Sequence, residues 1–185
     1  IPYIAFDDDF EYKIPFYHAN YFSNAHVMPE FIEFSNSRTY KYKGFKELAY
    51  LHPQYFNNKE YLLTDYNIQK NNYVFIREVA SISLNYKKVN NSLVDIISKI
   101  QSMNLDIILS LEDDKLKDQF KNDCIILEEP VEDIFSIINN SLFSISSGDT
   151  MARESCLLGI PCIYTGGRNM NVNKELINIG VMFKE

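Results

Sequence analysis

The sequence predicts an α/β protein: a Rossmann-like parallel sheet with helices on both faces, preceded by the end of another α/β domain. Two observations carry this. From Tyr73 onward, short apolar or β-branched runs alternate with longer amphipathic stretches, the pattern of βαβ units whose strands are buried on both faces. The aromatic residues are also unevenly placed: of 13 Phe and 13 Tyr, only Tyr86, Phe120, Phe135, Phe143, Tyr164 and Phe183 lie beyond Phe75. Two regions of different make-up therefore share the chain. The expected division is 1–42 as the C-terminal remnant of a first Rossmann-like domain, 43–72 as a connecting segment, and 73–185 as a second domain cut short at its C-terminal end.

In chain order, Ile1 to Phe6 reads as a strand, Phe10 to Tyr21 as a helix interrupted or bent at Pro15, and Ala25 to Met28 as a further short strand. Lys41 to Pro53 is expected to connect the two domains, with Phe45 to Leu51 as a short helix that stops before Pro53. Strands follow at Tyr73 to Val79, Asp106 to Leu111, Cys124 to Leu127, Leu142 to Ser146, Pro161 to Tyr164 and Val181 to Phe183. Leu93, Ile96, Ile97 and Ile100 recur at helical spacing, as do Val131, Ile134, Phe135 and Ile138, which gives two crossover helices. A third helix starts at Asp149 or Thr150 and stops at Gly159, ahead of Pro161. A fourth covers about Asn173 to Ile179. Right-handed crossovers then place the loops at the strand C-termini along one binding edge.

Composition narrows the function. The chain has 185 residues, 46% hydrophobic and 23% charged, ordinary for a globular protein. Its formal charge is −7, its pI is about 5.0, and its 18 Lys and Arg are scattered, so nucleic acid is excluded as a main partner. No apolar stretch approaches the roughly 20 residues that cross a bilayer, so no transmembrane segment is expected. The start at Ile1-Pro2-Tyr3 lacks both an initiator Met and the charged and apolar regions of a signal peptide, and reads as a cut. Cys124, Cys156 and Cys162 are odd in number and each lies in an apolar run; with no C-x-x-C pair, they point to a reducing, cytoplasmic setting.

Three places on the expected sheet edge carry chemistry. Ser146-Ser147-Gly148-Asp149-Thr150 is a small polar turn between a buried strand and a helix. It reads either as a cap, with Ser147 or Asp149 closing the helix, or as a cradle whose free N–H groups and positive dipole end suit a diphosphate. Glu154 follows Thr150 on the same helix face, where a carboxylate can accept bonds from paired ribose hydroxyls. Thr165-Gly166-Gly167-Arg168-Asn169 is a second turn: its glycines allow close backbone approach and Arg168 offers charge to phosphate, with a plain surface loop as the alternative. Arg77, near the end of an apolar strand, needs a partner, whether Glu78, another carboxylate or a bound anion.

Asp7-Asp8-Asp9 contains a D-x-D pattern but reads rather as a helix cap and dipole complement. His18, His26 and His52 lack metal-ligand spacing, His26 reads as structural, and no metal is expected. A G-x-S-x-G elbow, a P-loop and a G-x-G-x-x-G are all absent.

Lys43-Gly44-Phe45-Lys46-Glu47-Leu48-Ala49-Tyr50-Leu51-His52-Pro53, then Phe75-Ile76-Arg77, then Thr150-Met151-Ala152-Arg153-Glu154 with Leu157-Leu158-Gly159-Ile160-Pro161, resemble successive motifs of the uncharacterised GT-B-like family DUF354. The last two strings are shared more loosely with UDP-N-acetylglucosamine 2-epimerases and other GT-B enzymes. The resemblance covers nearly the whole chain. It implies a two-domain GT-B protein of about twice this length that acts on a nucleotide sugar, UDP-linked by expectation, as substrate, with no tightly bound cofactor. Diphosphate would then lie on Gly148, Asp149 and Thr150, and ribose near Glu154. A glycan acceptor is the further partner implied, a homo-oligomer is left open, and the catalytic residues are not assigned. Asp149 departs from the Gly or uncharged residue expected there, and Leu84-Asn85-Tyr86 stands where relatives carry a His-Asp pair. Both departures motivate a competing expectation, a non-catalytic binding or assembly module.

Overall fold

The computed structural model describes residues 1–79 and 93–184. Leu84-Asn85-Tyr86 falls outside them. Among the described residues the strands form two parallel sheets. The first contains β1 (Ile4–Phe6), β2 (Ala25–Pro29) and β3 (Thr39–Tyr42) in that order, with α1 (Lys13–Phe22) crossing between β1 and β2. Pro15 does not interrupt α1. It is the third helical residue, where no intrahelical N–H bond is required, and the first such bond is from Phe16 N–H to the Tyr12 carbonyl at 3.2 Å.

The second sheet contains β4 (Tyr73–Glu78), β5 (Asp106–Leu111), β6 (Ile125–Ile126), β7 (Phe143–Ser146), β8 (Cys162–Tyr164) and β9 (Met182–Lys184), ordered β6-β5-β4-β7-β8-β9. Successive side chains of β4 alternate between two cores, as the period of a strand requires. Val74 and Ile76 join Ile97, Ile100, Ile107 and Leu109 on one face. Tyr73 and Phe75 join Leu63, Ile108, Ile137 and Ile138 on the other. The first face is covered by α3 (Leu93–Gln101) and the second by α5 (Ile134–Asn139) with a 3-10 helix, Glu60–Tyr66. The Asp133 side chain caps α5 by accepting the Ser136 N–H at 3.1 Å. Each fully buried apolar side chain contributes roughly 1.5–3 kcal/mol, so a strand buried on both faces is held more strongly than its length suggests.

Two further helices, α6 (Asp149–Leu157) and α7 (Asn171–Asn178), pack with β8 and β9 around Ala152, Cys162, Tyr164 and Leu176. Phe31 and Phe45 from the first region join this cluster and dock the two sheets. Gly159, at φ +85°, takes the left-handed conformation just beyond α6 and stops it where expected. Residues 43–72 carry α2 (Leu48–Leu51) and lean on the end of α5 through paired Asn58 and Asn140 amides at 3.0 and 2.7 Å.

Three elements lie beyond the sequence-based expectation. β3 includes Lys41 and Tyr42, so the connection begins after them, and α4 (Asp114–Phe120) and the 3-10 helix are additional. No described helix is long and apolar enough to cross a membrane.

Candidate functional site

The strand order reverses between β4 and β7, and the crevice outside the carboxyl ends of such neighbouring strands is where open α/β sheets take their ligands. The 146–148 turn is pinned into this crevice. Ser147 N–H donates to the Arg77 carbonyl at 3.0 Å, and Val79 N–H donates to Ser147 Oγ at 2.9 Å. Gly148 is the N-cap of α6 in extended conformation, without a side-chain cap bond. Neither Ser147 nor Asp149 caps α6 with its side chain: the Ser147 hydroxyl is used by Val79, and the Asp149 carboxylate is held by Tyr164 and Arg168. A Cβ at Gly148 would lie 3.0 Å from Val79 Cγ1, so only glycine lets the turn sit this close to the end of β4 without a neighbour giving way.

Asp149 is nearly fully buried, 3% exposed, and its charge is answered within the fold. The Tyr164 hydroxyl donates to Oδ1, and Arg168 Nη1 lies 2.8 Å from Oδ2. Burial and the adjacent carboxylate push the Tyr164 phenol well above its ordinary range, so it remains a donor. Arg168 also pairs with Glu11 at 2.8 Å and reaches Asp9 at 3.6 Å, while its guanidinium stands 5.1 Å from the Tyr12 ring centroid. Gly166 is required beneath this array because any Cβ there would overlap the Tyr164 ring.

On the side facing the first sheet, α6 presents Arg153 and Glu154. Arg153 Nε lies 3.1 Å from Glu47 Oε1, off hydrogen-bond alignment, and Nη1 lies 3.5 Å from Asp8, which Lys46 reaches at 2.6 Å. The three aspartates therefore do not cap α1. Asp7 accepts from His26, which is fully buried, at 2.6 Å, and Asp9 accepts the first N–H of α7, from Asn171, at 3.2 Å. α1 starts at Lys13, too far along to use them, and their partners are His26 of the same sheet for Asp7, Lys46 and Arg153 for Asp8, and Asn171 and Arg168 for Asp9. Glu154 accepts a bond from the Tyr50 hydroxyl at 2.7 Å, and burial, only partly offset by that bond, raises its carboxyl above the ordinary value. A cavity of about 460 Å³ opens beside this cluster, lined by Phe6, Asp8, Tyr42, Phe45 and Lys46 among others.

Arg77 finds another carboxylate as its partner: Nη2 pairs with Glu112 at 2.6 Å and Nη1 donates to Ser110 at 2.8 Å, with Glu129 at 3.8 Å. Burial pushes the neighbouring Glu78 carboxyl up. The described residues include no group of three or more His, Cys, Asp or Glu arranged for a metal ion.

The fold thus gathers Ser147, Gly148, Asp149, Thr150, Gly166, Gly167 and Arg168 at adjacent loops of one edge, with Arg77 on its β4 flank and Glu154 one and a half turns along α6. Tyr50, Glu47 and Tyr164 escaped the sequence reading as site residues. Tyr50 and Glu47 stand inside the Lys43–Pro53 string, where nothing in the local pattern points to a partner about a hundred residues away. Tyr164 is the polar-tipped aromatic that ends β8, a signal weak in isolation.

A family model described as "Protein of unknown function (DUF354)" matches residues 25–185. A search of curated protein sequences finds no match. Among solved structures, UDP-N-acetylglucosamine 2-epimerase from Rickettsia bellii is similar at TM-score 0.66 with 15% identity, over 96% of this chain and 53% of its own. The Methanocaldococcus jannaschii UDP-GlcNAc 2-epimerase in complex with UDP-GlcNAc and UDP gives 0.62 at 16% identity, over 90% and 51%. MnaA from S. aureus with UDP gives 0.64 at 12% identity, over 98% and 54%. The chain spans about half the length of these proteins, and the likeness establishes a GT-B-type Rossmann-like fold.

Proposed function

The chain belongs to the DUF354 family of proteins of unknown function, and from that premise and the geometry of the 146–154 segment we propose that the whole protein is a nucleotide-sugar-dependent GT-B enzyme, a glycosyltransferase or an epimerase-like enzyme. This chain would carry mainly the nucleotide-binding half, residues 73–185, with 1–42 as the end of the first domain and 43–72 as the connection. The observation that carries the reading is the uncapped N-terminus of α6 at the switch-point crevice, with a buried carboxylate farther along the same helix. UDP or UDP-GlcNAc in two of the similar structures supports a UDP-linked substrate.

In this reading the diphosphate lies on the backbone N–H groups of Asp149 and Thr150 beside Ser147 and Gly148, where free amides and the helix dipole favour negative charge. Gly166 and Gly167 bring the facing loop close, and Arg168 and Arg77 flank the site as the nearest guanidinium charges. Departure of the diphosphate would be eased by these fixed dipoles and cations, set in place before the reaction begins. Glu154 takes the ribose hydroxyls. The cavity beside Phe6, Tyr42, Phe45 and Asp8 suits a sugar or glycan acceptor, since aromatic rings pack on the C–H faces of a pyranose and carboxylates accept its hydroxyls.

The competing module reading draws on the charge of Asp149 and on Leu84-Asn85-Tyr86, which lies outside the described residues. The pairing of Asp149 with Arg168 and Tyr164 removes that repulsion as an objection to phosphate. Thermal unfolding with UDP, GDP, CDP, dTDP and AMP tests the proposal, because a ligand of the native state raises the midpoint by mass action. One diphosphate is expected to raise it, with the shift lost in Glu154→Ala; no shift with any of them overturns the proposal.

A further inference from the structure

Tyr50 belongs to α2 in the connecting segment, yet its hydroxyl bonds a carboxylate on α6 that is 104 residues away. The segment is anchored on either side of it. Glu47, at 1% exposure, pairs with Arg153, and Leu51, at 2%, is in the core. The Tyr50 ring lies 5.6 Å from that of Phe135 on α5, while 44% of the residue remains open. Its phenol is held well above its ordinary range by burial and by Glu154, so at neutral pH it keeps its proton and donates to that carboxylate. Glu154 Oε1 is therefore committed to the protein, whereas among the described residues no donor bonds Oε2.

We propose that Tyr50 is a positioning residue for ribose recognition: by holding Oε1 it fixes the plane of the Glu154 carboxylate and leaves Oε2 for the vicinal hydroxyls of a nucleotide at the crevice. The inference rests on the proposed function of Glu154. A free glutamate side chain would have to be ordered by the ligand, at the expense of affinity, while one already bonded is aligned in advance. Recognition of the ribose is thereby tied to the docking of the connecting segment on α6.

Titration calorimetry of the full chain with UDP and with 2′,3′-dideoxyuridine diphosphate separates this role from a merely structural one. Tyr50→Phe keeps the ring against Phe135 and removes only the donor; Tyr50→Leu is the second variant, keeping an apolar contact. Tyr61→Phe, whose hydroxyl bonds Glu132 at 3.4 Å on an exposed surface, is the control. Wild type is expected to bind UDP more tightly than the dideoxy analogue. Tyr50→Phe is expected to weaken UDP about five- to tenfold, the scale of one hydrogen bond to a charged group, and to leave the analogue unchanged. Tyr61→Phe changes neither. Equal weakening of both ligands in the Tyr50 variants, or of neither, overturns the inference while the nucleotide site stands. No UDP binding by wild type overturns both.

Discussion

Arg168 Nη1 lies 2.8 Å from Asp149 Oδ2, so the loop after β8 and the first turn of α6 are joined by a charge pair at the edge of the proposed phosphate cradle. Asp149 is the more deeply enclosed of the two, and it also holds the Tyr164 hydroxyl. An acidic residue at the mouth of the proposed anion site is thereby made compatible with an anion.

Removing either partner of this pair should move nucleotide affinity in opposite directions. Arg168→Ala leaves the Asp149 charge without its cation near the proposed diphosphate and is expected to weaken UDP binding about tenfold or more, the scale of a lost charge-assisted bond. Asp149→Asn keeps a Tyr164 acceptor, removes one negative charge beside the proposed site while Arg168 keeps Glu11 and Asp9, and should tighten binding several-fold. Calorimetric titration at fixed salt checks both, and equal loss in the two variants would contradict the scheme.

Arg153 should matter for stability more than for binding. It is 3% exposed, between Glu47 and Asp8, and truncating one member of a buried ion pair strands the other. Arg153→Met is expected to destabilise the fold by about 3 kcal/mol. Adding Glu47→Gln should restore part of that loss, a coupling that urea denaturation of the two single variants and the double variant measures.

Gly166→Ala places a methyl group inside the Tyr164 ring. The ring must leave its bond to Asp149 or the loop must move, and overpacking of this kind costs roughly 1–3 kcal/mol. A lowered melting temperature together with loss of any UDP-induced shift is the expected result.

Glu154 gives a pH signature. Its folded carboxyl binds a proton more tightly than the unfolded one, whose value is 4.5, chiefly because burial disfavours the charge. The stability linked to that proton is fully present below the unfolded value and is lost as pH rises through the folded one. Glu154→Gln, neutral at every pH and still an acceptor for Tyr50, should therefore melt higher than wild type at pH 7 to 8. The gain should close as pH falls toward 4.5, and UDP affinity should drop throughout. Melting curves across that range decide it, and a gain that grows on acidification would show the sign to be wrong.

The second sheet was legible because burial on both faces demands unbroken apolar runs. Tyr73 to Ile76 and Ile107 to Leu109 announce themselves, and the crossover helices follow from the spacing of Leu93 to Ile100 and of Ile134 to Ile138. Elements with little to bury were silent. β3 reads Thr-Tyr-Lys-Tyr, an edge strand with one paired side and no apolar run, and α4 is mostly charged, with Leu116 and Phe120 as its apolar contacts with the core. Asp7 to Asp9 looked like a cap because only their own segment was in view.

The sequence alone determined the period of the strands and helices that bury an apolar face, the stop at Gly159, and a small polar turn at 146–148, since all of these follow from neighbours along the chain. Tertiary structure decided the rest. The reversal of strand order sets Arg77 to Val79 beside Ser146 to Gly148; Arg168 chooses Asp149 and Glu11; Tyr50 reaches Glu154. A buried charge or hydroxyl must find a partner, but its own sequence neighbourhood cannot say which distant segment supplies one. That choice is made only when two sheets dock and desolvation leaves no alternative.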